Sequence, residues 1–180
     1  VWPALAEGMI SLLSGNRIVD LGCGNGRLAR RIAAAGNTVT GVDSSEEQIR
    51  LALAGANDAP PAGASPAFVL APMEHTGLAD ASFDIAVISQ ALHHAADPAA
   101  AVREASRLLV PGGRILILDL LRHEEDWMRT RFGDFWLGFS EADLREWVAA
   151  AGIRIRKFEI TPPSPEYPEL EGVLVVGEKQ

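Results

Sequence analysis

The stretch Val19-Asp20-Leu21-Gly22-Cys23-Gly24-Asn25-Gly26 constrains the fold more than any other part of this chain. An apolar strand pattern runs into three glycines spaced two apart, and a helical pattern begins at once. Glycine permits a tight turn, a positive φ and a close approach of backbone to ligand, because it carries no Cβ. Strand, glycine loop and helix form the unit with which open α/β sheets build a ligand site at the carboxyl ends of their strands. Asp43 follows 17 residues after Gly26, at the end of a second strand pattern over Thr38–Val42. An acidic residue at that place accepts hydrogen bonds from ribose hydroxyls. Dinucleotide fingerprints read G-x-G-x-x-G, whereas this loop reads G-x-G-x-G followed by Arg27, which disfavours a nicotinamide oxidoreductase.

The 180 residues fit a single domain over 1–180, large enough for one good core. A net charge of −8 argues against a surface that grips phosphate backbones, so no direct nucleic-acid binding is expected. Cys23 is the one cysteine, which excludes an intramolecular disulfide and fits a reducing, cytoplasmic setting. No apolar run approaches the ~20 residues that span a bilayer, and no signal-peptide pattern is visible, so no membrane association is expected. The chain begins at Val1 rather than Met, as a piece of a longer protein does.

Elements alternate along the chain, which predicts βαβ units and a mainly parallel sheet. Residues 2–14 read as a short amphipathic helix, Arg17–Leu21 as the first strand, and about Gly26 to Ala35 as a helix. Ser44-Ser45-Glu46-Glu47-Gln48 holds two overlapping capping boxes and predicts a helix start. Residues 55–67, rich in Ala, Gly and Pro, read as a loop. Further strands are expected at Ala67–Leu70, Phe83–Ser89 and Arg114–Leu120, with a helix capped by Asp97-Pro98 between the last two. Ser140 is placed to cap another helix, and Ile153–Ile160 and Glu171–Glu178 read as two final strands without a helix between them. That pairing implies a hairpin and one antiparallel strand.

The order Asp-x-Gly-x-Gly-x-Gly over Asp20–Gly26 resembles motif I of the class I S-adenosylmethionine-dependent methyltransferases, in particular those of the methyltransferase type 11 kind. Phe83–Ser89 with Ala91-Leu92-His93-His94, and Arg107–Gly113, resemble two later segments of the same family in the same order. The resemblance implies an α/β, Rossmann-like three-layer sandwich with a seven-stranded sheet of order 3-2-1-4-5-7-6 and strand seven antiparallel. It also implies S-adenosyl-L-methionine as cofactor, S-adenosyl-L-homocysteine as product, and a small-molecule acceptor. Gly22, Cys23, Gly24 and Gly26 would hold the methionine part by backbone groups, with Asp20 nearby, and Asp43 would take the ribose diol beside Ser44. Met73 and Glu74 would flank the adenine, although Pro72 stands where the family often has Asp. Ser89 and Gln90 would lie near the sulfonium. Ser89–His94, Asp119–His123 and Trp136–Phe139 further resemble the methyltransferase domains that follow ArsR-type winged-helix domains. That likeness implies an upstream DNA-binding domain and, as the alternative function, a cofactor-binding sensor module of a transcription regulator.

Methyl transfer from a sulfonium is an in-line displacement that needs an aligned nucleophile about 3 Å from the methyl, a dry pocket and sometimes a base. His93 and His94 follow the fourth strand at the ligand edge of the sheet and are the base candidates, and adjacent residues are expected to point apart so that at most one faces the site. Neither C-x-x-C nor H-E-x-x-H occurs, so no metal site is expected. Residues 122–139 hold Trp127, Phe132, Phe135, Trp136 and Phe139. They read as a substrate lid contributing His123, Trp127, Phe135 and Trp136, or else as a helix packing its aromatics on the core or on a second subunit of a homodimer.

Overall fold

Side chains along a strand alternate between its two faces, and in the central strands of this protein both faces are apolar. The computed structural model describes residues 15–55, 65–163 and 167–180. The helix expected over 2–14 and most of the loop expected over 55–67 lie outside the described residues. Seven strands are seen: β1 Arg17–Leu21, β2 Thr38–Asp43, β3 Ala67–Leu70, β4 Phe83–Ser89, β5 Leu109–Leu120, β6 Ile153–Thr161 and β7 Gly172–Lys179. They form one sheet in the order β3-β2-β1-β4-β5-β7-β6. β1 to β5 are mutually parallel, and β7 runs antiparallel to both β5 and β6. This is the sheet that the family resemblance implies.

Helices α1 Arg27–Ala34, α2 Glu46–Ala54, α3 Pro98–Leu108, α4 Trp127–Phe132 and α5 Glu141–Ala150 connect the strands. Ile18 of β1, Ile85 and Val87 of β4 and Leu116 and Leu118 of β5 pack with Ala29, Ile32 and Met128 of α1 and α4. Their neighbours in sequence, Val19, Ala86, Ile88, Ile115 and Ile117, pack on the other face with Val102, Ala105, Leu144 and Val148 of α3 and α5. One-residue steps along three strands thus feed two separate cores, which makes the register costly to slip.

Local signals placed the helix starts. Ser45 accepts the Gln48 N–H, Asp97 accepts the Ala100 N–H with Pro98 behind it, and Ser140 and Asp143 form a reciprocal capping box. One boundary differs from expectation: β5 begins at Leu109, not Arg114. Leu109 already pairs with Phe83, and the irregularity between Phe83 and Ile85 absorbs Pro111-Gly112-Gly113 without ending the strand.

Phe139 closes the segment after α4. It is fully buried, stacks edge-on to Trp147 at 5.5 Å, and bridges to Leu121 at the end of β5. Phe139→Ala is expected to destabilise the protein by about 3–5 kcal/mol, the range for a buried phenylalanine in a core that collapses poorly. Chemical denaturation with an unchanged m value measures it.

Candidate active site

The carboxyl ends of β1, β2 and β4 meet at the glycine loop. Gly22 and Cys23 N–H both donate to the Val42 carbonyl, at 2.8 and 2.9 Å, so the loop folds back onto the end of β2. Asp43 continues the same clasp, accepting the Gly24 N–H at 2.8 Å and the Ser45 N–H at 2.9 Å. Gly22 takes φ 76°, and a Cβ there would stand 2.3 Å from the Ala91 Cβ, a distance no side chain tolerates. The first glycine is therefore required by the turn and by the closeness of the segment after β4.

Two cavities share Gly22, Gly24 and Gln90. The larger, about 600 Å³, is lined by Asp43, Ser44, Gln48, Pro72, Met73 and Glu74 at one end and by Ala91, His94, Ala95 and Phe135 at the other. The smaller, about 290 Å³, is lined by Asp20, Cys23, Asn25, Leu28 and Ser89. Ten of the residues singled out in sequence as cofactor contacts thus fall on these two walls: Asp20, Gly22, Cys23, Gly24, Asp43, Ser44, Met73, Glu74, Ser89 and Gln90. Gly26 does not. It starts α1 in the left-handed conformation, and a Cβ there would strike the Phe68 ring at 2.5 Å.

Two buried polar atoms at this junction lack a partner among the described residues, Asp20 Oδ2 and Gln90 Nε2. Gln90 also holds φ 54°, unusual outside glycine, and such strain persists where the surroundings fix it for a purpose. The cradle fits a ligand with hydroxyls beside Asp43 and a cationic group beside Asp20. The N–H groups of Gly22, Cys23 and Gly24 are committed to β2, and the Cys23 carbonyl accepts the Gly26 N–H. Burial, and secondarily the charge of Asp43, push the Asp20 carboxyl up to about 7. Burial and the nearby carboxylates Asp20 and Asp43 push the Cys23 thiol up as well, so it is not a nucleophile. Glu74 spends Oε1 on the Ala96 and Asp97 N–H groups, at 2.7 and 3.2 Å, and so also ties the loop after β3 to the entry of α3.

His93 and His94 lie on a single 3-10 turn, Leu92–His94, directly after β4. His93 is buried, and its Nδ1 is 2.7 Å from Asp119 Oδ1; Asp119 also accepts the Leu92 and Leu120 N–H groups. Burial works against an imidazolium at His93, but the Asp119 hydrogen bond and the charges of Asp119 and Asp134 outweigh it and raise its pKa. His94 is exposed and lines the large cavity; partial burial and the neighbouring His93 lower its pKa. The two rings do not point apart as expected. Their centroids are 4.2 Å apart, and both present a donor atom to Asp134.

Residues 122–139 divide in two. Trp127 packs on Tyr167 at 5.7 Å and Met128 is buried in the core beside it, so the start of α4 packs on the core. Beyond Gly133 the chain crosses to the site: Phe135 and Trp136 N–H both donate to the His93 carbonyl at 3.1 Å, and Trp136 Nε1 donates to the Ala95 carbonyl at 2.9 Å. Phe135 lines the cavity, 64% exposed, while Trp127 and Trp136 do not line it. His123 lies off the cavity wall; its Nδ1 accepts the Glu125 N–H at 3.2 Å, and burial lowers its pKa. Asp119 and Asp134 are buried here, and no spacing in the sequence ties either of them to the histidines.

A family model described as a methyltransferase domain matches residues 19–117, and the chain belongs to that family. The 27-O-demethylrifamycin SV methyltransferase of Amycolatopsis mediterranei is 39% identical over 115 residues, 63% of this chain and 42% of that protein. The ubiquinone biosynthesis O-methyltransferase of Thiobacillus denitrificans is 32% identical over 122 residues, 67% of this chain and 51% of that protein. The chain thus spans about half the length of the curated relatives it matches. Among solved structures, an S-adenosylmethionine dependent methyltransferase from Mesorhizobium loti superposes with a TM-score of 0.81 at 23% identity, covering 99% of this chain and 97% of that one. One from Methanosarcina mazei gives 0.81 at 22% identity, covering 99% and 98%. No helix among the described residues is long and apolar enough to cross a membrane.

Asp20 carries a pH signature. Its carboxyl is raised in the folded state, so its contribution to stability is full below the ordinary value of 3.8 and is lost as pH rises through about 7. The ligand-free protein should therefore lose up to a few kcal/mol of unfolding free energy between pH 5 and 8. Asp20→Asn should flatten that slope, as read by denaturant titration across pH.

Proposed function

We propose that this domain transfers the methyl group of S-adenosyl-L-methionine to an oxygen of a small-molecule acceptor. The observation that carries the reading is the continuity of the large cavity, which runs from Asp43 and Gly24 to His94 and Phe135 without a break. Bound there, the cofactor supplies an electrophilic methyl on a sulfonium and leaves as S-adenosyl-L-homocysteine. Asp43, with one lone pair of each oxygen already given to backbone N–H, offers the others to the ribose diol. Ser44, Pro72 and Met73 form the wall for the adenine, and Glu74 steadies that wall rather than reaching the base. Asp20 meets the ammonium, and the cation holds Asp20 in its charged form. Gln90, whose Nε2 has no partner among the described residues, stands between the two halves of the site.

At the acceptor end, Phe135 gives a face for a planar or apolar body, and His94 is the imidazole that reaches the cavity. An acceptor hydroxyl beside His94 can surrender its proton as its oxygen attacks in line. Oxygen as the attacked atom follows the relatives named above, one printed as a 27-O-demethylrifamycin SV methyltransferase and one as an O-methyltransferase of ubiquinone biosynthesis.

A second reading keeps the cofactor site and drops turnover. The segments Ser89–His94, Asp119–His123 and Trp136–Phe139 resemble those of domains that follow winged-helix DNA-binding domains, which favours a sensor role within a longer, dimeric regulator. Product release against a panel of phenols and hydroxylated polyketides separates the two: turnover with any acceptor supports the enzyme, and binding without turnover supports the sensor.

S-adenosylmethionine or S-adenosylhomocysteine at about 100 times its Kd should add ~2.7 kcal/mol of stability in thermal unfolding. Asp43→Ala removes the ribose acceptor and unclasps the loop, and should weaken both ligands at least about tenfold, the cost of one charge-assisted hydrogen bond. Failure of the unaltered chain to bind either compound overturns the proposal.

A further inference from the structure

Asp134 is 3% exposed, and neither of its carboxylate oxygens has a hydrogen-bond partner among the described residues. A buried carboxylate without a partner is strongly unfavourable, so something cationic belongs beside it. Its neighbours are the two histidines. Asp119 accepts two backbone N–H groups and is therefore an acceptor toward His93 as well, which places a proton on Nδ1, so that in the neutral ring Nε2 carries the lone pair. That lone pair faces Asp134 Oδ1 at 3.9 Å. In that neutral form acceptor stands opposite acceptor, too far apart for a hydrogen bond.

His94 completes the group. One donor atom each from His93, His94 and Asp134 lie within 4.8 Å of one another. Ligands held 2.0–2.2 Å from a tetrahedral ion stand about 3.3–3.5 Å apart, so closing the group needs movements of roughly an ångström or less. The carriers are a 3-10 turn and the start of the loop after Gly133, which adopts φ 78°. Asp119 stands behind His93 in the arrangement that orients metal-binding imidazoles, holding the ring and fixing its tautomer. His123 is not in this group; its Nδ1 accepts the Glu125 N–H.

We propose that His93, His94 and Asp134 bind one divalent transition-metal ion, with the zinc-like preference for mixed nitrogen and oxygen donors. Three protein ligands leave a fourth position open, and His94 and Phe135 place it toward the large cavity. The ion neutralises Asp134 and staples the Gly133–Phe139 loop to the end of β4. Any part it takes in polarising an acceptor oxygen rests on the methyl-transfer reading; its binding does not.

Cobalt(II) titrated into the full chain, freed of metal by a chelator, tests this without cofactor or acceptor. The expected result is one saturating equivalent, visible ligand-field bands of four- or five-coordinate cobalt, and displacement by zinc. Asp134→Asn and His94→Ala should each weaken binding at least about tenfold, by loss of a ligand. His94 is exposed, so its truncation keeps the test informative even if the Asp134 variant folds poorly. Absence of saturable binding overturns the proposal, as does binding that neither substitution alters. In the first case ¹⁵N shifts showing both His93 nitrogens protonated would identify a proton as the cation beside Asp134. Binding of S-adenosylmethionine, measured separately on the same metal-free chain, reports on the methyl-transfer reading alone.

Discussion

The glycine loop is held by β2, and the rest of the site depends on that clasp. The Val42 carbonyl takes the N–H groups of Gly22 and Cys23, and the Asp43 carboxylate takes those of Gly24 and Ser45. Two consecutive residues thereby fix the end of β1, the end of β2 and the entry to α2. Without the clasp, the loop would have four backbone donors to satisfy and no fixed path. With it, those donors are spent and the carboxylate keeps lone pairs for a ligand.

Asp119 plays the corresponding part at the end of β5. Fully buried, it accepts the Leu92 and Leu120 N–H groups and the His93 ring, so it sets the turn after β4 from the neighbouring strand. The His93 carbonyl then receives Phe135 and Trp136, which draws the segment after α4 across the mouth of the site. Phe139 anchors the far end of that segment in the core beneath α5. A chain of hydrogen bonds from strand to turn to loop thus holds Phe135 exposed at the cavity beside the buried Asp134.

Much of this was legible in the sequence because it is local. β3 and β4 occur at Ala67–Leu70 and Phe83–Ser89 as read, and Ser45, Asp97 and Ser140 cap the helices they were expected to cap. Strand β5 was read short, because Pro111-Gly112-Gly113 looks like a turn and only pairing with Phe83 carries the strand through it. Segment 122–139 was read as one unit, but α4 went to the core and the loop beyond Gly133 to the site. The two histidines were expected to diverge. On a 3-10 turn beside a loop that folds over both, they converge on Asp134 instead.

What the sequence determined by itself is the alternation of strand and helix, the positions of the caps, and the glycine loop with its acidic partner on β2. These follow from interactions within a few residues, or from a motif whose spacing is itself the geometry. The tertiary structure alone decided which polar side chains meet. Asp119 and Asp134 stand 26 and 41 residues beyond His93, and no spacing in the sequence links them to it. They reach it because β5 lies beside β4 in the sheet and the following loop must cross back to bury Phe139. Their chemistry is a consequence of packing, and packing is settled by the whole chain.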